Sequence, residues 1–223
     1  MQPVRKFFLL TFVNALFALT INAKTKIGIA PEAGFNLSNM SFSDGSSGWL
    51  KPGFKAGINF DKFLSDKLSI QAGAFYSMLG SRMDINQVFV GPVIVPVSIS
   101  YAQVPINLFY RMELGKGKLF FSAGPYIGYA LGLFGKPSDT AVKLTNFKIG
   151  SDTSSFIKPL DIGVNLNAGY ELPNGLFAKL GYAIGITNIS AQNGETVRNS
   201  VWSISIGWFY RSTRVKVENK AYQ

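Results

Sequence analysis

The chain has 223 residues, 47% of them hydrophobic, 14% aromatic and only 15% charged, with 23 glycines and a formal net charge of +10. It contains no cysteine and no histidine, which excludes disulfides, thiolate metal sites and the Ser-His-Asp and Cys-His types of catalytic site. Sparse charge with abundant glycine and aromatics is the balance of a β protein that has an apolar exterior and small residues packed inside.

Residues 1–23 have the form of a secretory signal peptide. Arg5 and Lys6 make the charged n-region, residues 7–19 the apolar h-region, and Ile21-Asn22-Ala23 a small-residue cleavage site. Removing them takes two cations and no acid, lowering the net charge from +10 to +8. No later stretch is an apolar run of spanning length, because residues 88–99 are interrupted by Gly91, Pro92 and Pro96. A membrane-spanning mature chain must therefore cross as a closed β-barrel.

From residue 26 onward the apolar signal has a period of two. Strands are expected over residues 26–38, 53–63, 68–79, 101–113, 119–132, 160–172, 176–187 and a last one around 202–210. The alternation is cleanest in the sixth, where Leu160, Ile162, Val164, Leu166, Ala168, Tyr170 and Leu172 interleave with Asp161, Gly163, Asn165, Asn167, Gly169 and Glu171. Pro173-Asn174-Gly175 is a tight hairpin signal leading into the seventh. Trp202, Trp208 and Tyr210 sit near the ends of the apolar face of the last strand, where aromatic girdles meet membrane interfaces. Pro105 falls inside the fourth strand, where its missing N–H predicts a bulge or locally irregular pairing.

The connections alternate in length. Short turns at 64–67, 114–118 and 173–175 alternate with long loops at 39–52, 80–100, 133–157 and 190–200. This is the rhythm of an all-β, eight-stranded antiparallel up-and-down transmembrane barrel with its short turns in the periplasm. The domain reading is a leader at 1–23, a barrel at 24–211 and a polar basic periplasmic tail at 212–223.

A soluble lipocalin-like barrel has the same strand number but turns its apolar face inward. Glycines on the polar face, aromatics at the ends of the apolar face and sparse charge favour the bilayer. The polar face is then the lumen, and it receives Lys26, Lys55, Arg111 and Lys179 with Glu32, Asp61, Asp161 and Glu171, signs that balance. Charges in so narrow a space must be paired or hydrogen-bonded, with Gln71, Gln103, Asn107, Asn165 and Asn167 as further partners. The lumen is expected to be filled and not to conduct.

Residues 101–111 (YAQVPINLFYR), 123–129 (AGPYIGY) and 181–188 (GYAIGITN) resemble the PorT-like outer-membrane β-barrel family, over roughly residues 26–211. The resemblance implies an outer-membrane barrel, and one branch of that family is tied to a protein secretion system. The tail is a departure, since Phe209 and Tyr210 are followed by further residues where such barrels often end on an aromatic.

No positioned acid, base or nucleophile is legible, so the chain is expected not to be an enzyme and to need no cofactor or metal. Asp84, Asp139 and Asp152 lack the spacing of a calcium loop. Expected partners are outer-membrane lipid and, in one reading, envelope or secretion proteins; nucleic acid is not expected, and the barrel is expected to be monomeric. Two functions follow. One is a structural or adhesive surface barrel acting through external loops, with Val88, Phe89, Val90, Val93, Ile94 and Val95 as the most apolar contact surface. The alternative is an accessory or assembly component of an envelope secretion complex.

Overall fold

The structure is a computed structural model that describes residues 27–43, 45–84, 94–135, 148–151, 155–192 and 194–211. The expected leader, the expected tail and Lys26 lie outside the described residues. Eight strands form the wall: β1 (Ile27–Phe42), β2 (Lys51–Phe63), β3 (Leu68–Asp84), β4 (Ile94–Leu114), β5 (Gly117–Gly135), β6 (Leu160–Glu171), β7 (Leu176–Gly185) and β8 (Val197–Trp208). Each pairs antiparallel with its sequence neighbour, and β1 pairs with both β2 and β8, so the sheet closes on itself. A two-residue strand, β9 (Tyr210–Arg211), continues β8 beyond Phe209 and pairs with β1 in the same register. The interruption falls beside Pro31, which has no N–H to give.

Alternation sends every second side chain outward. Phe35, Leu166, Leu180, Ile204 and Ile206 are among the most exposed apolar residues, whereas their neighbours Asn36, Asn165, Lys179 and Ser205 are buried. An exposed apolar belt around a buried polar interior inverts the order of a water-soluble barrel and suits lipid. Tyr182 packs on Trp202 with ring centroids 4.6 Å apart, and its hydroxyl meets Ser200 Oγ at 3.1 Å. Toward the short-turn end Trp208 and Tyr210 stack at 6.2 Å.

Short turns join β2 to β3, β4 to β5 and β6 to β7. The third is the Pro173-Asn174-Gly175 turn, in which Gly175 takes φ +88°, a left-handed conformation open to glycine at little cost. Its carbonyl also accepts the Phe209 N–H at 2.8 Å, tying the end of β8 to this hairpin.

Several strands run further than the sequence suggests. Residues 80–100 do not form one loop: β3 continues to Asp84 and β4 starts at Ile94, with Asp84↔Ile94 and Met83↔Val95 paired. Ile94 and Val95 are thus strand residues, while Val88, Phe89, Val90 and Val93 lie outside the described residues. β1 likewise reaches Phe42 and β8 begins at Val197, the two paired there. Continued pairing satisfies backbone groups that would otherwise need water. β7 instead stops at Gly185, and the Ile186 N–H turns to the Ile162 carbonyl at 2.8 Å.

Pro105 does not shift the register. Pairing of β3 with β4 lapses opposite Gly73 and Ala74 and resumes unchanged, so the irregularity is local. The true shift between β4 and β5 lies at Ser100/Tyr101.

Candidate functional site

The lumen is layered along the barrel axis. At the short-turn end Ala30, Phe109, Phe120, Phe177 and Phe209 form a buried cluster, with Phe109 stacked on Phe120 at 4.8 Å and Phe177 tilted against Phe209 at 4.5 Å. Glycine makes this possible. A Cβ on Gly169 would lie 2.4 Å from the Phe120 ring, and one on Gly207 2.4 Å from the Phe177 ring.

Arg111 threads this cluster, its guanidinium carbon 3.9 Å from the Phe109 ring centroid, a cation–π contact in a water-poor setting. It pairs with Asp61, donates to Ser69 Oγ at 2.7 Å and lies 3.8 Å from Glu171 through Nε. Gln71 donates to the second oxygen of Asp61 at 2.7 Å. Glu171 also pairs with Arg211, a residue that strand counting alone assigns no role.

In the middle layer a single carboxylate gathers four donors. Glu32 accepts from Lys179 Nζ at 2.6 Å, Lys55 Nζ at 3.0 Å, Asn59 Nδ2 at 2.9 Å and Ser205 Oγ at 2.8 Å. These fill the roughly four lone-pair sites of a carboxylate and leave none for a substrate. Beside it lies a cavity of about 70 Å³, bordered by Lys55, Lys179, Asn36, Ser77, Asn107 and Tyr126 among others. Asn36 Oδ1, Ser77 Oγ and Asn107 Oδ1 find no hydrogen-bond partner.

The seventh charge stands apart. Asp161 accepts from Asn199 Nδ2 at 2.9 Å and from the Tyr126 hydroxyl at 3.3 Å, and Asn199 Nδ2 also reaches the Tyr101 hydroxyl at 3.2 Å. Of the eight charges expected in the lumen, the seven that are described lie there, in three groups, and among the described residues Asp161 is joined by amide and phenol, not by a cation. Asn199 and Tyr101 escape the sequence reading because an asparagine and a tyrosine in alternating strands announce nothing about which charge they meet.

Above Asp161 the long-loop end is closed by apolar side chains: Met40, Leu79, Ile99, Tyr101, Ala130, Ile157, Ile189, Val197 and Val201 form one buried cluster. Ile157 and Ile189 come from connecting segments that fold over the barrel, held by Lys158 N–H to the Ile189 carbonyl at 2.7 Å and Ala130 N–H to the Pro159 carbonyl at 2.7 Å. Among the described residues no group of three or more acidic side chains converges as a metal site.

A family model described as outer membrane protein beta-barrel domain matches residues 15–191. Solved structures similar to this chain include the attachment invasion locus protein Ail of Yersinia pestis, at 12% identity and TM-score 0.43 over 83% of this chain and 99% of that one. OprG of Pseudomonas aeruginosa is similar at 12% identity and TM-score 0.46 over 85% and 97%. The outer membrane enzyme PagL is similar at 10% identity and TM-score 0.40 over 81% and 98%. No curated protein matches the chain.

Proposed function

The chain belongs to the outer membrane protein beta-barrel domain family, and on that premise we propose that it is a non-enzymatic outer-membrane barrel with a filled lumen, acting through its external loops as a structural or adhesive surface protein. The observation that carries this reading is the occupancy of the axis. Aromatic, ionic and apolar layers succeed one another between the two ends, and the cavity beside Glu32 is about 70 Å³, the volume of a few waters. Layers packed in this way among the described residues leave little room for a solute, which favours contact with the surroundings at the rims. The absence of histidine and cysteine from the sequence supports the non-enzymatic part.

A PorT-like role as an accessory or assembly component of an envelope secretion complex is the second reading, favoured by the resemblance of residues 101–111, 123–129 and 181–188. Site-specific photo-crosslinking in intact cells separates the two. Crosslinkers at exposed Trp49 and Gln192, at the long-loop end, report on the external surface, and crosslinkers at exposed Lys67 and Lys116 report on the periplasmic turns. Protein adducts from the first pair are expected. Adducts from Lys67 and Lys116 alone would overturn the surface reading in favour of the secretion one.

A further inference from the structure

The outer wall is not evenly ridged. Where β4 to β8 cross the apolar belt, cross-strand pairing sets their outward side chains in two adjoining rows, Leu108, Ala123, Leu166, Tyr182 and Trp202 in one and Tyr110, Phe121, Ala168 and Leu180 in the other. An alanine interrupts each row among side chains that stand well clear of the backbone. The result is an open, largely apolar groove of about 540 Å³, bordered by these side chains and, at its floor, by Ala123, Ala168 and the inward-facing residues Ser122, Asn167 and Gly181.

The groove has a length and two distinct ends. Spanning five strands, it covers four spacings of about 4.8 Å, or about 19 Å. Tyr110, at one end, stands four residues from Leu114, where β4 reaches its short turn, and Trp202, at the other, stands five residues from Val197, where β8 leaves the long-loop side. The groove therefore slants across the belt, and it is longer than the ~15 Å of hydrocarbon in one leaflet, half of a core of about 30 Å. Beyond Trp202 the wall turns polar. Ser200 shares a hydrogen bond with the Tyr182 hydroxyl at 3.1 Å, and exposed Arg198 follows on the same face, about 13 Å along the strand from Trp202. Among the described residues Arg198 makes no ion pair.

We propose that this groove seats one acyl chain of an anionic phospholipid, with Arg198 holding the phosphate of its headgroup. The groove is continuous with the belt that meets the bilayer, so a chain enters it sideways without leaving hydrocarbon, and it gains dispersion contacts along its whole length that a ridged wall would deny it. Charge selects the headgroup. A cation at the membrane surface favours an acidic lipid over a neutral one by about fivefold, and a lipid phosphate stands at that depth beside an aromatic girdle. The apolar belt of a second copy would fill the groove but bring no acidic group to Arg198.

The test uses the full chain carrying Trp49→Phe and Trp208→Phe, which leaves Trp202 as its single tryptophan, folded into phosphatidylcholine vesicles. Phosphatidylglycerol or phosphatidylcholine, brominated on the acyl chains, is added as quencher at the same small mole fraction. Brominated phosphatidylglycerol is expected to quench Trp202 as strongly as about five times as much brominated phosphatidylcholine. Ala168→Leu, which fills the groove from the lipid side, and Arg198→Gln, which removes the cation, each abolish that preference while the fast gel mobility of the unboiled barrel is kept. Equal quenching by the two lipids before either change, or a preference that survives either one, overturns the proposal. So does quenching by both lipids that falls as more protein is packed into each vesicle, which would assign the groove to a second copy of the chain.

Discussion

Replacing Glu32 with Gln removes one negative charge and almost no volume, so it isolates what the carboxylate does for the wall around it. In the native lumen Glu32 and its lysine partners Lys55 and Lys179 carry a combined charge of +1, one acid against two bases. The substitution leaves both ammonium groups facing each other at +2, with Lys179 buried and Lys55 nearly so. Breaking a buried pair by deleting one partner costs about 3–5 kcal/mol, and here two pairs are lost together. Urea unfolding from lipid vesicles, read by the emission of Trp49, Trp202 and Trp208, all of them exposed on the outer surface, measures the loss directly. Adding Lys179→Met returns the group to +1 and recovers much of the stability, because an apolar side chain of similar length tolerates the site where a lone cation does not. A Glu32→Gln variant within about 1 kcal/mol of wild type, the value of one ordinary hydrogen bond, would refute the reasoning, as would a double variant less stable than the single one.

The folded chain should run faster on gels unboiled than boiled, since a closed barrel keeps its backbone hydrogen bonds in detergent, and it should give no large steady conductance in planar bilayers; porin-sized currents from a monomer would contradict the filled lumen. A lipid-borne quencher should reach a probe on Leu180→Cys, which is 62% exposed, and not one on Ser205→Cys in the lumen, with equal quenching counting against the assignment of faces. In intact cells an impermeant thiol reagent should label Gln192→Cys but not Asn174→Cys, and the opposite result would turn the barrel over. Gly169→Ala would bring a methyl within 2.4 Å of both the Ala178 carbonyl and the Phe120 ring, so it should cost about 1–3 kcal/mol in the same urea assay; a neutral result would mean the wall yields more readily than its pairing suggests.

The strands were legible where they cross the apolar belt, because lipid on one side and a polar interior on the other force strict alternation, as in Leu160 to Tyr170. Beyond the belt that force disappears. Gly80-Ser81-Arg82 and Pro96-Val97-Ser98 alternate poorly and carry a proline, yet they pair residue for residue as β3 and β4, because backbone hydrogen bonding does not depend on which solvent the side chains meet. The side of the wall each charge faces was equally legible, being fixed by parity alone. Which charge meets which was not. Lys179 reaches Glu32 across 147 residues of chain and Asn199 reaches Asp161 across 38, and such pairings depend on the stagger of strands around the barrel, a quantity that no local pattern encodes.

Every adjacent pair of strands in the wall is a hairpin of consecutive elements except one, the meeting of β1 with β8 at opposite ends of the barrel sequence. Glu32 stands on β1. Of its four donors, Lys55 and Asn59 come from β2 and are near at hand as soon as the first hairpin forms, whereas Lys179 and Ser205 belong to β7 and β8. An unfinished sheet therefore holds a half-served carboxylate at its leading edge, and only arrival of the last two strands completes its shell. Glu32 acts as a latch in the order of assembly: it rewards closure specifically, and makes any barrel that stops one strand short an energetically poor place to rest.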